Sequence, residues 1–224
     1  MDWRLERAIY DVSLHHHWVG SLFHGVEQAS IPVMVVLTGL LWFFSRPALE
    51  ASAGNPPTPG EKVGSPAAAR GGDRKWKLAC GSGYAAAALG YVIAFVIHHI
   101  YDRARPYEAH HFRDPWSSST DASFPSDHTS LSFAIAFAVL AFDTTAGVLF
   151  LIVAAIIGVG RLFIGAHYPG DVLAGVGVGL VAALIVVRLL PRFVAFVVGQ
   201  VERVIDPLVR PLWRRRAGDL PARP

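Results

Sequence analysis

The sequence predicts an all-α fold: an integral membrane helical bundle of about five transmembrane helices, preceded by an interfacial N-terminal helix. Three observations carry that reading. Of the 224 residues, 53% are hydrophobic and only 17% charged, against roughly 25% charged in an average soluble domain. The apolar residues collect in five runs, at about 28–45, 76–100, 127–142, 145–164 and 171–190. Those runs are uniformly apolar, without the alternation of barrel strands, and in lipid a helix then satisfies the backbone.

The elements follow in order within one domain, 1–224. Residues 1–27 mix apolar and polar groups and suit a helix lying in the membrane interface. The start, "MDWRLERAIYDVSLHHHW", has no long apolar core behind a basic end, so no cleavable signal is predicted. Residues 46–75 are rich in Gly, Pro and Ala and are predicted to be a flexible loop. The run 127–142 is short for a bilayer core of about 30 Å, which takes roughly 20 helical residues. It fits if one end sits in a polar pocket. Residues 192–224 mix apolar residues with Glu202, Arg203, Asp206 and Arg210 and then reach Arg214–Arg216, the pattern of a surface helix with a basic tail. The single cysteine, Cys80, lies in an apolar run and is read as a packing residue.

Basic residues set the orientation. Arg46, Lys62, Arg70, Arg74, Lys75 and Lys77 flank the first loop, and the C-terminal segment adds more. Cytoplasmic flanks collect Lys and Arg. Five spans then put 46–75 and the C-terminus inside, and 101–126 and 164–170 outside. The unusual polar residues gather in or beside those two outer loops.

They form three clusters: "YDRARPY" with Arg103 and Arg105, "FPSDH" with Ser126, Asp127 and His128, and "GRLFIGAHYPGD" with Arg161, His167 and Asp171. Arg105 and Arg161 are permanently charged forks that match phosphate oxygens. Ser126 follows Pro125 at an expected helix start, where its hydroxyl and the next backbone N–H groups, beginning with Asp127, face an anion. His167 and Asp171 are four apart. On a helix that spacing brings the carboxylate to the imidazole, fixes its tautomer and frees the other nitrogen for attack. His128 remains to protonate a leaving oxygen. The Asp127 carboxylate is expected to turn from the phosphate site, as a helix-start carboxylate or as a partner for an arginine such as Arg103.

These residues resemble the type 2 phosphatidic acid phosphatase superfamily, whose pattern is Lys-x6-Arg-Pro, Pro-Ser-Gly-His and Ser-Arg-x5-His-x3-Asp. The matches are Arg105-Pro106, Pro125-Ser126-x-His128 and Arg161-x5-His167-x3-Asp171. The chain departs from it where His98 holds the lysine position, Asp127 replaces Gly and Gly160 replaces Ser. Arg103 is a candidate substitute for the lysine. "DASFPSDHTS" and "AIYDVSLHHHWVGSLF" look like the bacitracin-resistance branch of undecaprenyl-pyrophosphate phosphatases.

The resemblance implies His167 as nucleophile, Asp171 as its orienter and His128 as general acid. It implies phosphoryl binding by Arg105, Ser126 and Arg161, with no metal and no cofactor. Its implied substrate is a polyprenyl diphosphate, or alternatively phosphatidic acid, phosphatidylglycerol phosphate or diacylglycerol pyrophosphate. No nucleic-acid partner is expected. The non-enzymatic alternative is a lipid or ion transporter, against which stands the expectation that no span carries a charge at its middle.

Other features read as structural. His15–His17 cannot all face one ion on a regular helix and are taken as an interfacial patch. His110 and His111 are loop residues near the site. Gly175 and Gly179 have the small-x3-small spacing that allows close helix contact within a bundle.

Overall fold

A computed structural model describes residues 2–44, 66–112, 116–117 and 119–218. The helices are α1 (Asp2–His15), α2 (His17–Phe44), α3 (Pro66–Ile100), α4 (Pro106–Ala109), α5 (Asp127–Leu140), α6 (Thr144–Phe163), α7 (Pro169–Leu184) and α8 (Pro191–Gly218). A short π-helical turn, Ile185–Leu189, extends α7. Among the described residues there is no strand.

Stretches of α2, α3, α6 and α7 are long and apolar enough to cross a membrane, and α5 is a shorter apolar helix of 14 residues. The protein is a multi-pass membrane protein. α5 sits centrally, packed against α3, α6 and α7, with Ala134, Ile135, Ala138 and Val139 buried. The outer helices turn Val36, Val92, Phe95, Leu149, Ile152 and Leu173 outward. For helices in lipid such exposure is the favourable state.

The glycine stripe of α7 sets how closely it meets α5. A Cβ at Gly175 would lie 2.9 Å from the Ser126 carbonyl oxygen, and one at Gly179 would lie 2.7 Å from the Ala134 backbone nitrogen. Side chains there would wedge the helices apart. At that contact the Ser126 N–H donates to the Asp171 carbonyl at 3.1 Å.

At the end of the bundle away from the three clusters, charged groups pair. Lys77 meets Asp206 at 2.5 Å and Glu202 at 3.3 Å, tying α3 to α8. Trp42 of α2 donates its indole N–H to Asp206 at 3.2 Å. Lys75 meets Asp143 at 2.7 Å, and Asp143 caps α6 by accepting from the Ala146 N–H.

Three sequence expectations change. The interfacial helix ends at His15 rather than near residue 27, because α2 already starts at His17. Its early polar residues are usable inside the bundle: Glu27 reaches Arg161. Glu27 therefore places a charge within a span, against expectation. The predicted loop 46–75 is helical from Pro66 onward, where a proline at the first helical position and three alanines favour a helix start. Residues 46–65 lie outside the described residues, as do 219–224 of the basic tail. α8 covers the segment expected to be a surface helix, and its Val194 and Val198 are buried against the bundle.

Candidate active site

The three clusters meet at one end of the bundle. His167 lies in the turn between α6 and α7 and is 1% exposed. Its Nδ1 is 2.8 Å from the Ser123 carbonyl oxygen. A carbonyl only accepts, so Nδ1 carries the proton and Nε2 keeps its lone pair. Two guanidiniums converge on Nε2: Arg105 Nη1 at 3.3 Å and Arg161 Nη2 at 3.1 Å. Burial first, then Arg161 and Arg105, push the His167 pKa well below its usual value. The ring is neutral at physiological pH, as a nitrogen nucleophile requires.

Acids hold both arginines. Arg105 donates Nε–H to the Asp121 carbonyl at 2.9 Å and Nη2 to the Asp121 carboxylate at 3.2 Å. Arg161 donates Nη1 to Glu27, while its buried Nε has no hydrogen-bond partner among the described residues. The forks are thereby aimed while part of their donor capacity remains available.

Asp171 does not sit as the four-residue spacing predicts. α7 begins only at Pro169, so His167 precedes the helix and the two residues share no helical face. Asp171 Oδ2 is 3.9 Å from His167 Nδ1, too far for a hydrogen bond. It accepts instead from the Ser123 hydroxyl at 2.5 Å and the Tyr168 N–H at 2.9 Å. Its Oδ1 accepts from Arg103 at 2.6 Å.

Arg103 is likewise committed elsewhere. Its Nη2 donates to Asp2 at 2.8 Å, and its guanidinium lies 3.9 Å from the centre of the Tyr168 ring. With one fork nitrogen on each carboxylate, it braces Asp171 rather than reaching for phosphate. Asp2 also accepts from the Gly170 N–H at 3.0 Å, bringing α1 into the site's supports.

Ser126 is the N-cap residue of α5 and fully buried, and its hydroxyl accepts from Thr129 at 3.0 Å. Its own N–H is spent on Asp171, so the free N–H groups of this helix end begin at Asp127. His128 makes no hydrogen bond among the described residues and lies within electrostatic range of Arg161, Arg105 and His167. The Asp127 carboxylate does turn aside, but toward His98, 3.6 Å away, not toward Arg103. His98 at the lysine position spends its Nε2 on the Pro125 carbonyl at 2.9 Å.

The residues that sequence reasoning missed are Ser123, Glu27, Asp121 and Asp2. Glu27 had a signal, a lone carboxylate entering an apolar run. His110 stacks on Trp3 with ring centroids 3.4 Å apart, lining a cavity of about 550 Å³ with Arg7, Tyr10 and Phe112. It belongs to the seat of α1.

Comparison with known proteins places the chain. The sequence pattern of the PAP2 superfamily matches residues 80–195. Undecaprenyl-diphosphatase BcrC of Bacillus subtilis is 28% identical over 214 residues, 94% of this chain and 96% of that protein. The bacitracin transport permease protein BcrC of Bacillus licheniformis is 44% identical over 72 residues, 32% of this chain and 36% of that protein. A crystal structure of a transmembrane PAP2 type phosphatidylglycerolphosphate phosphatase from Bacillus subtilis shares the fold. It has a TM-score of 0.52 at 16% identity and covers 83% of this chain and 82% of that one. The chain belongs to the PAP2 superfamily.

Proposed function

We propose that this PAP2-superfamily protein is a lipid-diphosphate phosphatase that hydrolyses undecaprenyl diphosphate to the monophosphate on the outer face of the cell membrane. The observation that carries the reading is the convergence of two arginine forks on His167 Nε2, with the other ring nitrogen held as a donor by Ser123.

A terminal phosphoryl group placed between the forks presents its phosphorus to Nε2. The Nε2 lone pair forms the N–P bond while the bond from phosphorus to the bridging oxygen breaks. Arg105, Arg161, the Ser126 hydroxyl and the first N–H groups of α5 stabilise charge on the phosphoryl oxygens. The negative charge of the bound diphosphate favours the imidazolium form of His128, and that imidazolium gives its proton to the departing prenyl phosphate. Water then attacks phosphorus, His128 takes the water's proton, and cleavage of the N–P bond releases inorganic phosphate and restores His167. In this scheme Arg103 braces Asp171 and does not touch phosphate. The near full-length likeness to an undecaprenyl-diphosphatase supports this substrate among lipid phosphates.

The test is phosphate release by the purified protein from undecaprenyl diphosphate, phosphatidic acid and phosphatidylglycerol phosphate in detergent, with and without chelator. Preference for the prenyl diphosphate, lost in His167→Ala, is the expected result. The name of the Bacillus licheniformis relative favours a second reading, a transporter, which requires bacitracin resistance that survives His167→Ala. Orientation is tested separately by labelling intact cells of Ala109→Cys and Thr145→Cys variants with an impermeant thiol reagent. Labelling at 109 alone is expected, and labelling at 145 alone overturns the outer-face assignment.

A further inference from the structure

Ser123 spends every polar group it has inside the site. It is fully buried. Its N–H donates to the Arg103 carbonyl at 2.7 Å. Its hydroxyl donates to Asp171 Oδ2 at 2.5 Å, and its carbonyl accepts from His167 Nδ1 at 2.8 Å. The hydroxyl oxygen also lies 3.4 Å from that Nδ1. One residue thus ties the segment before α4, the approach to α5 and the turn before α7.

We propose that Ser123 is the positioning residue through which Asp171 controls the nucleophile, its hydroxyl and carbonyl interposed between carboxylate and imidazole. The inference rests on His167 being the nucleophile, as read above. As Nε2 bonds to phosphorus, the ring becomes cationic and Nδ1–H becomes a stronger donor. It then faces the Ser123 carbonyl and a hydroxyl oxygen whose own proton is drawn toward Asp171. No proton leaves Nδ1, so the relay is one of polarisation and placement. A direct pair between Asp171 and His167 would need no hydroxyl at residue 123, whereas this geometry does.

The test is steady-state and single-turnover kinetics on the full-length protein in detergent, with Ser123→Ala, Ser123→Thr, Asp171→Asn and the double variant Ser123→Ala/Asp171→Asn. A hydrogen bond to a charged group that strengthens in the transition state corresponds to about 10–100-fold in rate. Ser123→Ala is expected to lose that factor in kcat and in the rate of phosphoenzyme formation. KM and inhibition by inorganic phosphate should stay unchanged, because the arginines remain; unchanged inhibition also shows that the site is folded. Ser123→Thr, which restores a hydroxyl, should recover most of the loss. The double variant should be no slower than Asp171→Asn alone, since both lie on one line of contact. A wild-type kcat in Ser123→Ala, or losses that multiply in the double variant, overturns the inference and leaves the nucleophile assignment standing. Turnover by His167→Ala would overturn that assignment instead.

Discussion

The two ends of the bundle both bury cations in an apolar surround, and they use them differently. At one end Lys77 sits among Asp206, Glu202 and Trp42, and Lys75 meets Asp143. The carboxylates there neutralise the cations and join α2, α3, α6 and α8. At the other end Arg105 and Arg161 also have acids, Asp121 and Glu27, yet both forks also point at the bare nitrogen of His167. A guanidinium gains little from a neutral ring nitrogen that it could not gain from water. The arrangement becomes favourable when an anion fills the space. Buried ion pairs are weak evidence for stability, and here the difference between the ends separates fastening from chemistry.

The sharpest way to break the comparison is through the histidines. His167→Ala should be inactive on every substrate and trap no acid-labile phosphoenzyme. His128→Ala should lose about 10²–10⁴-fold on a lipid phosphate, the usual range for general acid catalysis. It should lose much less on p-nitrophenyl phosphate, whose phenolate leaves without a proton. Equal losses on both leaving groups would remove the acid role from His128.

Next come the forks. Arg105→Lys and Arg161→Lys keep the charge and lose the bidentate geometry, and each should cost about 10²–10³ in turnover, as measured by initial rates at saturating substrate. A near-normal rate in either variant takes that arginine out of phosphate binding.

At the fastening end, Lys77→Met should leave kcat within about twofold and lower stability by roughly 1–3 kcal/mol. That is less than a fully buried broken pair costs, because Asp206 and Glu202 remain partly solvated. Thermal unfolding in detergent reads the second quantity. A collapse of turnover with unchanged Tm would mean that the two ends do not differ in kind.

The smallest effect is a pH slope. Glu6 of α1 is fully buried, and neither carboxyl oxygen has a hydrogen-bond partner among the described residues. Burial above all, then Asp171 and Asp2, push its pKa up from 4.5 to about 9. Between those values the folded protein holds a proton that the unfolded chain has released, so stability falls as pH rises through that window. Glu6→Gln removes the titration and should flatten the decline of Tm between about pH 5 and about pH 9 relative to wild type. Parallel slopes in the two proteins would place ionisation of Glu6 outside that window.

Legibility in the sequence followed locality. The gathering of Arg105, Arg161, His128 and His167 at one end of the bundle was readable because each sits near the end of an apolar run, and the ends of alternate runs must meet on one side of a membrane. The relation of His167 to Asp171 was misread as one helical face. "HYPGD" held the correction: a proline favours the first helical position, which leaves His167 outside α7. The partners Glu27, Asp121 and Asp2 come from segments with no phosphate chemistry of their own. Their roles arise only when α1, α2 and the loop before α5 pack on the site. Ser123 was invisible for another reason, since half of its proposed role resides in a backbone carbonyl, which every residue has.

The brevity of α5 has a consequence for the depth at which the substrate is met. At 1.5 Å per residue its 14 residues rise about 21 Å, some 9 Å less than a hydrocarbon core of about 30 Å. The ion pair of Lys75 with Asp143, just beyond its far end, anchors that end at a polar boundary. The deficit falls on the end that carries the candidate site. Because α3, α6 and α7 enclose α5, the shortfall is a polar recess inside the bundle. In the proposed reaction a prenyl diphosphate would bring its headgroup down into that recess with its chain still in oil, and inorganic phosphate would depart upward into water. A headgroup met below the bilayer surface makes the depth of the site a determinant of which lipid phosphates it can take.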